Sequence, residues 1–253
     1  MVGRYAPSPT GDLHLGNLRT AVIAHRRASR FLMRVEDLDV GRVRPGVADR
    51  QLADLRAVGV HWEEPVVFQS ERTALYEAAL GQLDTYECFC TRAEIREAPS
   101  APHAPPGIYP GTCRDLSAGE RAARAAVRAP AVRVRADGDG DGAVDDFVVR
   151  RNDGAFAYQL AVVVDDAEQG IEEVVRGADL AGSEPRQRWL YRALGLREPV
   201  FVHVGLVLGP GGVRLAKRHG AITLRALGAE AARSWIEASL DRPLSEPVVY
   251  DPA

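Results

Sequence analysis

The chain has 253 residues, 46% hydrophobic and 26% charged, which suits a globular protein able to bury one elaborate core or two smaller ones. A net charge of −3 excludes a polycation that coats nucleic acid, while leaving room for a local basic face that meets phosphates. No apolar run approaches the roughly 18 residues a bilayer span needs, and residues 1–9 lack a signal-type apolar stretch, so a cytoplasmic protein with no membrane contact is expected.

A short N-terminal strand runs into the turn-rich Pro7-Ser8-Pro9-Thr10-Gly11-Asp12, and Leu15, Leu18, Ala21, Val22 and Ala28 then predict a helix. Residues 31–35 read as a second strand that ends in the acidic Glu36-Asp37-Leu38-Asp39. Helices are expected at 47–58 and 72–86. Strand, helix, strand, helix in this rhythm indicates an α/β fold with a parallel sheet.

The rhythm breaks over residues 87–143, which hold all three cysteines, the Pro-rich stretch 99–110, a strand candidate at 131–135 and the polar run 137–142. This reads as a small module inserted between a first half at 1–86 and a second half at 144–222. The run 137–142 lacks the ligand spacing of an EF-hand and reads as a solvated hairpin. Strand-like runs resume at 146–150, 159–164 and 173–176, followed by a helix at 180–194 and an apolar strand at 200–208. An amphipathic helix is expected at 229–240 in a short helical C-terminal segment, 223–253, and no further domain is expected there.

Two features point to chemistry before any likeness is considered. The segment from Arg4 to Asn17 joins a strand to a helix start, where free backbone N–H groups and the helix dipole favour a phosphate. His14 can donate to a phosphate oxygen, and Gly16 lets a ligand approach the backbone. A His-x-Gly alone is usually ordinary loop sequence; the preceding strand and the Pro-Ser-Pro-Thr-Gly run give it weight. Among 32 basic residues there is a single lysine, Lys217, which suggests a position that needs a compact ammonium rather than a guanidinium.

These words resemble class I aminoacyl-tRNA synthetases, and specifically their glutamyl branch. The Arg4–Asn17 segment is similar to the HIGH motif, with Asn17 in its fourth place, and Arg214-Leu215-Ala216-Lys217-Arg218 looks like a reduced KMSKS loop. Phe31 to Asp39, Phe156 to Asp166 and Val175 to Leu180 extend the likeness in the same order along the chain. The resemblance implies a Rossmann-like catalytic domain that activates L-glutamate with ATP and Mg2+ and serves a tRNA. It assigns ATP to Pro7, His14, Gly16, Asn17 and Lys217, with His14 and Lys217 catalytic, and L-glutamate to Arg4, Ser8, Glu36, Tyr158 and Arg176. The physics suits that assignment, because two arginine forks can take two carboxylates and Glu36 can take an ammonium. Any one of these residues alone would more often be a surface ion pair.

Cys88, Cys90 and Cys113 are odd in number, which argues for metal or free thiols rather than a disulfide framework. Three thiolates leave one position of a tetrahedral Zn2+ open. Tyr109 and His103 are the candidates; general ligand chemistry favours His103, whereas the resemblance implies Tyr109 and one structural Zn2+. The competing reading is three reduced thiols in a small core.

Within the branch, the nearest likeness is to truncated members without an anticodon-binding domain. These activate glutamate without tRNA and transfer it to queuosine in the anticodon of tRNA-Asp, and a monomer is expected. Two alternatives stand beside that expectation. One is a minimal enzyme charging a tRNA 3′ end; the other is a non-catalytic tRNA- or glutamate-binding paralogue, suggested by Asn17 and Ala216.

Overall fold

The structure, a computed structural model, describes residues 1–97, 108–136, 144–209, 212 and 222–250. In chain order its elements are β1 (Val2–Tyr5), α1 (Leu15–Arg27), β2 (Arg30–Val35), α2 (Val47–Ala57), β3 (Glu63–Phe68), α3 (Thr73–Leu80) and β4 (Thr85–Cys88). There follow α4 (Arg92–Glu97), α5 (Ala118–Ala125), β5 (Ala131–Val134), β6 (Val148–Arg150), α6 (Tyr158–Glu168) and β7 (Glu173–Gly177). The last are α7 (Glu184–Ala193), β8 (Val200–Val204), β9 (Val207–Leu208), α8 (Leu224–Leu227), α9 (Ala229–Ser239) and β10 (Val248–Val249). Among the described residues no helix is long and apolar enough to cross a membrane.

Two compact units emerge, the first made of Met1–Arg72, Glu168–Glu184 and Glu198–Ala253 and the second of Thr73–Ala167 and Pro185–Arg197. These boundaries differ from a division at 86 and 143: α3, most of α6 and most of α7 join the cysteine-bearing segment, and the C-terminal segment joins the first unit. Long-range contacts account for the difference. In the second unit Phe147 meets Trp189 edge-on at 5.7 Å, and the buried Tyr76 hydroxyl donates to Asp165 at 2.9 Å.

The first unit is built on a parallel sheet in the order β3-β2-β1-β7-β8. Alternation along the strands sends Tyr5, Phe31, Met33, Val175 and Val204 to one face, where they form a core with Leu15, Leu18 and Val22 of α1 and Ile236 of α9. Gly3 is required there, because a Cβ would stand 2.9 Å from the Ala28 Cβ. Arg27 closes the same face with two bonds to Glu173, at 2.7 and 2.6 Å. Buried Arg19 of α1 reaches Ser239 at the last turn of α9, with Nη2 donating to its carbonyl at 3.3 Å and Nε to its hydroxyl at 3.0 Å.

The second unit carries a three-stranded antiparallel sheet, β4-β5-β6. Its polar hub is Asp146, which accepts from Tyr86 Oη at 2.6 Å, Arg114 Nη1 at 3.0 Å and the Ala136 N–H at 2.9 Å.

Three expected elements differ. Residues 159–164, expected as a strand, are the interior of α6. That helix buries Leu160, Ala161, Val162, Val163, Val164, Asp165 and Asp166, so it lacks the one-sided period that identifies a surface helix. The helix expected at 72–86 stops at Leu80 and gives way to β4. The strand expected at 200–208 is broken at Gly205, where a Cβ would lie 1.9 Å from the Glu246 carbonyl oxygen.

Candidate functional site

The turn after β1 is braced from two sides. Gln51 of α2, buried, donates from Nε2 to the carbonyls of Ser8 at 3.1 Å and Gly11 at 2.6 Å. The Pro7 carbonyl accepts from the Glu36 N–H at 2.9 Å, and the Pro9 carbonyl from the Arg44 N–H at 3.0 Å. The Ser8 side chain is thereby held at the surface of a fixed turn beyond the carboxyl end of β1.

His14 is the N-cap of α1, and it forms a reciprocal pair with Asn17. The Asn17 N–H donates to His14 Nδ1, and the His14 N–H donates to Asn17 Oδ1, both at 3.3 Å. This is a capping box built from unusual letters. Because Nδ1 accepts, the neutral ring carries its proton on Nε2, which is then the ring's donor. Asn17 in the fourth place of the motif therefore has a structural task that an uncharged amide performs.

Gly16 needs to be bare for a reason the sequence does not suggest. A Cβ would meet His14 Nδ1 at 3.2 Å and Val207 Cβ at 3.4 Å, so the imidazole and β9 fill the space above it. Leu15 N–H donates to the Ile222 carbonyl at 2.8 Å, and His14 pairs with Thr223, tying the chain at 222–223 to the start of α1. Lys217, with Arg214, Leu215, Ala216 and Arg218, lies outside the described residues, as do His103 and the run 137–142.

Sheet register gathers the arginines. Arg4 pairs with Leu32 and Arg176 with His203, so Arg4, Arg34, Arg176 and His203 share the face opposite the apolar core. All three arginines are buried. Arg4 on β1 and Arg176 on β7 flank the point where strand order reverses, the place where open α/β sheets bind ligands. Arg34 Nη1 donates to Gln169 Oε1 at 2.6 Å, and its Nη2 stands 3.6 Å from Glu36 Oε1. Arg176 donates from Nε to His203 Nε2 at 3.1 Å, with its guanidinium 4.7 Å above the Phe201 ring.

Tyr5 shows how closely these groups sit electrically. Burial holds its hydroxyl far above the ordinary value of 10; the Arg4 charge opposes that shift, the Glu36 charge adds to it, and a hydrogen bond with Asn17 opposes it. Arg4, Glu36 and Asn17 thus share one neighbourhood in the first unit. Tyr158 belongs to the second unit, as the partly exposed first residue of α6. The sequence reading did not single out Arg34, Gln51 or His203; Arg34 at least stood inside a strand that otherwise looked apolar.

The second unit brings its candidates together. The ligand atoms of Cys88, Cys90 and Cys113 lie within 4.8 Å of one another, with Cys90 and Cys113 sulfurs 3.6 Å apart. Tyr109 Oη is 3.4 Å from Cys88 Sγ and 3.8 Å from Cys90 Sγ. Ligands on a tetrahedral centre with Zn–S near 2.3 Å stand about 3.8 Å apart, so the donor set fits a metal ion of that size. Burial and then the neighbouring Cys88 push the Cys90 thiol up to about 11. Burial would also raise Cys113, but a Phe89 backbone bond, Tyr109, Cys90 and the Arg124 charge outweigh it and bring that thiol down. Arg124 Nη1 reaches Cys113 Sγ at 3.4 Å, and Arg133 stacks 3.7 Å over the Tyr109 ring. Neither arginine stood out in the sequence.

Comparison with known proteins gives consistent findings. The family described as tRNA synthetases class I (E and Q), catalytic domain, matches residues 1–230. A glutamyl-Q tRNA(Asp) synthetase of Nocardia farcinica is 59% identical over an alignment covering 88% of this chain and 77% of that protein. One from Cutibacterium acnes is 49% identical, covering 99% and 78%. Among solved structures, a glutamate tRNA ligase from Elizabethkingia meningosepticum in complex with its amino acid superposes with a TM-score of 0.70 at 29% identity, over 87% of this chain. The chain spans about half the length of that ligase, 52%.

Proposed function

The chain belongs to the class I tRNA synthetases of the E and Q type, within the glutamyl-Q tRNA(Asp) synthetases, and from that premise we propose that it activates L-glutamate with ATP without needing tRNA and transfers it to queuosine in the anticodon of tRNA-Asp. The observation that carries this reading is the pair of buried arginines, Arg4 and Arg176, flanking the strand-order reversal beside the His14-capped helix.

In this reading Arg4 and Arg176 receive the two carboxylates of glutamate, Glu36 receives its ammonium, and Ser8 adds a hydrogen bond. Arg34, beside Glu36, sets that carboxylate's position. A substrate carboxylate oxygen attacks the α-phosphorus of ATP, the bond to the bridging oxygen breaks, and pyrophosphate leaves. Catalysis here is positioning and charge neutralisation. Pro7, Gly16 and Asn17 shape the nucleotide's seat, His14 donates from Nε2 to a phosphate oxygen, and Lys217 with the Mg2+ that accompanies ATP offsets charge on the leaving group. Cys88, Cys90, Cys113 and Tyr109 would hold one structural Zn2+, which would brace the second unit.

Glutamate-dependent ATP–pyrophosphate exchange without tRNA tests the first step, with aspartate and glutamine as controls. Glutamate alone should support exchange. Transfer is then tested with tRNA-Asp that contains or lacks queuosine; only the former should accept glutamate. The 29% likeness to a glutamate tRNA ligase favours one second reading, charging of a 3′ end. Equal acceptance by both tRNA preparations would select it.

A further inference from the structure

Arg176 and His203 face each other across β7 and β8 at the same register step, and Phe201 sits two residues earlier on the same side of β8. The guanidinium is therefore fixed twice, through Nε to His203 Nε2 at 3.1 Å and through its flat face 4.7 Å from the Phe201 ring. Because Nε2 accepts, the neutral imidazole carries its proton on Nδ1, which stands 3.5 Å from Glu184 Oε2 at the start of α7. Glu184 thus favours the tautomer that Arg176 requires.

The choice of acceptor matters. A carboxylate at position 203 would hold the guanidinium as firmly, but it would add a negative charge beside the group that must attract an anion. An imidazole orients without adding that charge. We infer that His203 is a positioning residue for glutamate, a neutral acceptor that fixes the Arg176 guanidinium for a substrate carboxylate while contributing no negative charge of its own. The inference rests on the proposed function, in which Arg176 receives a carboxylate.

The full chain is tested as His203→Gln, His203→Leu and His203→Glu, with KM measured separately for glutamate and for ATP and glutamate binding followed by calorimetry. Wild-type protein must first show glutamate-dependent exchange; if it does not, the proposed function fails before His203 is in question. Given that exchange, His203→Leu should raise the glutamate KM roughly tenfold or more, the range expected for losing a hydrogen bond to a charged group, and leave the ATP KM unchanged. His203→Gln, which places an acceptor where Nε2 stood, should stay near wild type. His203→Glu should weaken glutamate more than His203→Leu does, although it keeps a hydrogen bond to Arg176. A parallel rise in both KM values would mean a merely structural role. Glutamate binding by His203→Glu as tight as by His203→Gln would overturn the charge argument, and that isosteric pair decides the matter even if His203→Leu does not fold.

Discussion

The arginines on the candidate-site face of the first unit are held differently from those inside the second. In the second unit Arg114 bonds the Asp146 carboxylate at 3.0 Å, Arg186 bonds Asp145 at 2.6 Å, and Arg133 gives its Nη1 to the Asp146 carbonyl at 2.6 Å. In the first unit Arg176 is oriented by an imidazole and Arg34 by an amide oxygen, with Glu36 further off at 3.6 Å. A cation matched by a nearby carboxylate holds structure together. One oriented by neutral groups keeps more of its field for a visiting anion. The contrast separates arginines that tie the protein to itself, Arg27 of the first unit with Glu173 among them, from those oriented towards a ligand.

Breaking the second unit's centre should have the largest effect. Removing Zn2+ with a chelator, or Cys113→Ala, should cost several kcal/mol and lower the unfolding temperature sharply, since a structural metal supplies folding energy. Metal analysis should find one zinc per wild-type chain; purified protein without zinc, and with unfolding indifferent to chelator, would remove the metal from the account.

Arg176→Met should cost about 2–5 kcal/mol in glutamate recognition, lowering glutamate-dependent exchange at least thirtyfold with little change in thermal unfolding. A large fall in unfolding temperature instead would class Arg176 with the structural arginines and erase the contrast. Gln51→Leu should be milder, about 1–3 kcal/mol of stability, because two turn carbonyls lose their shared donor. Its exchange rate should fall as the turn loosens; a stable, fully active variant would show that the turn needs no brace. Asn17→Ala should cost least, about 1 kcal/mol of stability read by denaturant titration, from losing half of the capping box.

Much of this was legible in the sequence because period and punctuation agreed. Leu15, Leu18 and Val22 announced α1, and the cysteine spacing announced a cluster that the fold does assemble. What stayed hidden depends on contacts between distant residues. The strand β3 begins Glu63-Glu64-Pro65, which reads as a polar loop, yet as the outer strand of the sheet it needs no apolar face there. His203 looks like a stray polar residue in an apolar strand until sheet register sets it against Arg176. Gln51 occupies an inward place on an amphipathic helix, where its type alone suggests solvent.

Arg19 adds a consequence for the molecule in acid. Burial lowers its pKa below the ordinary arginine range, and its described partners are the Ser239 hydroxyl and carbonyl and the Gly205 carbonyl, none of which takes up protons in the range where carboxylates do. The Arg19 part of the clasp between α1 and α9 therefore keeps its strength as acid is added, whereas arginine–carboxylate ties, Arg26–Glu237 between the same helices among them, weaken. Acid that loosens those ties should leave the Arg19 contacts made, and amides in the turn of α1 around Arg19 should keep their protection from hydrogen exchange.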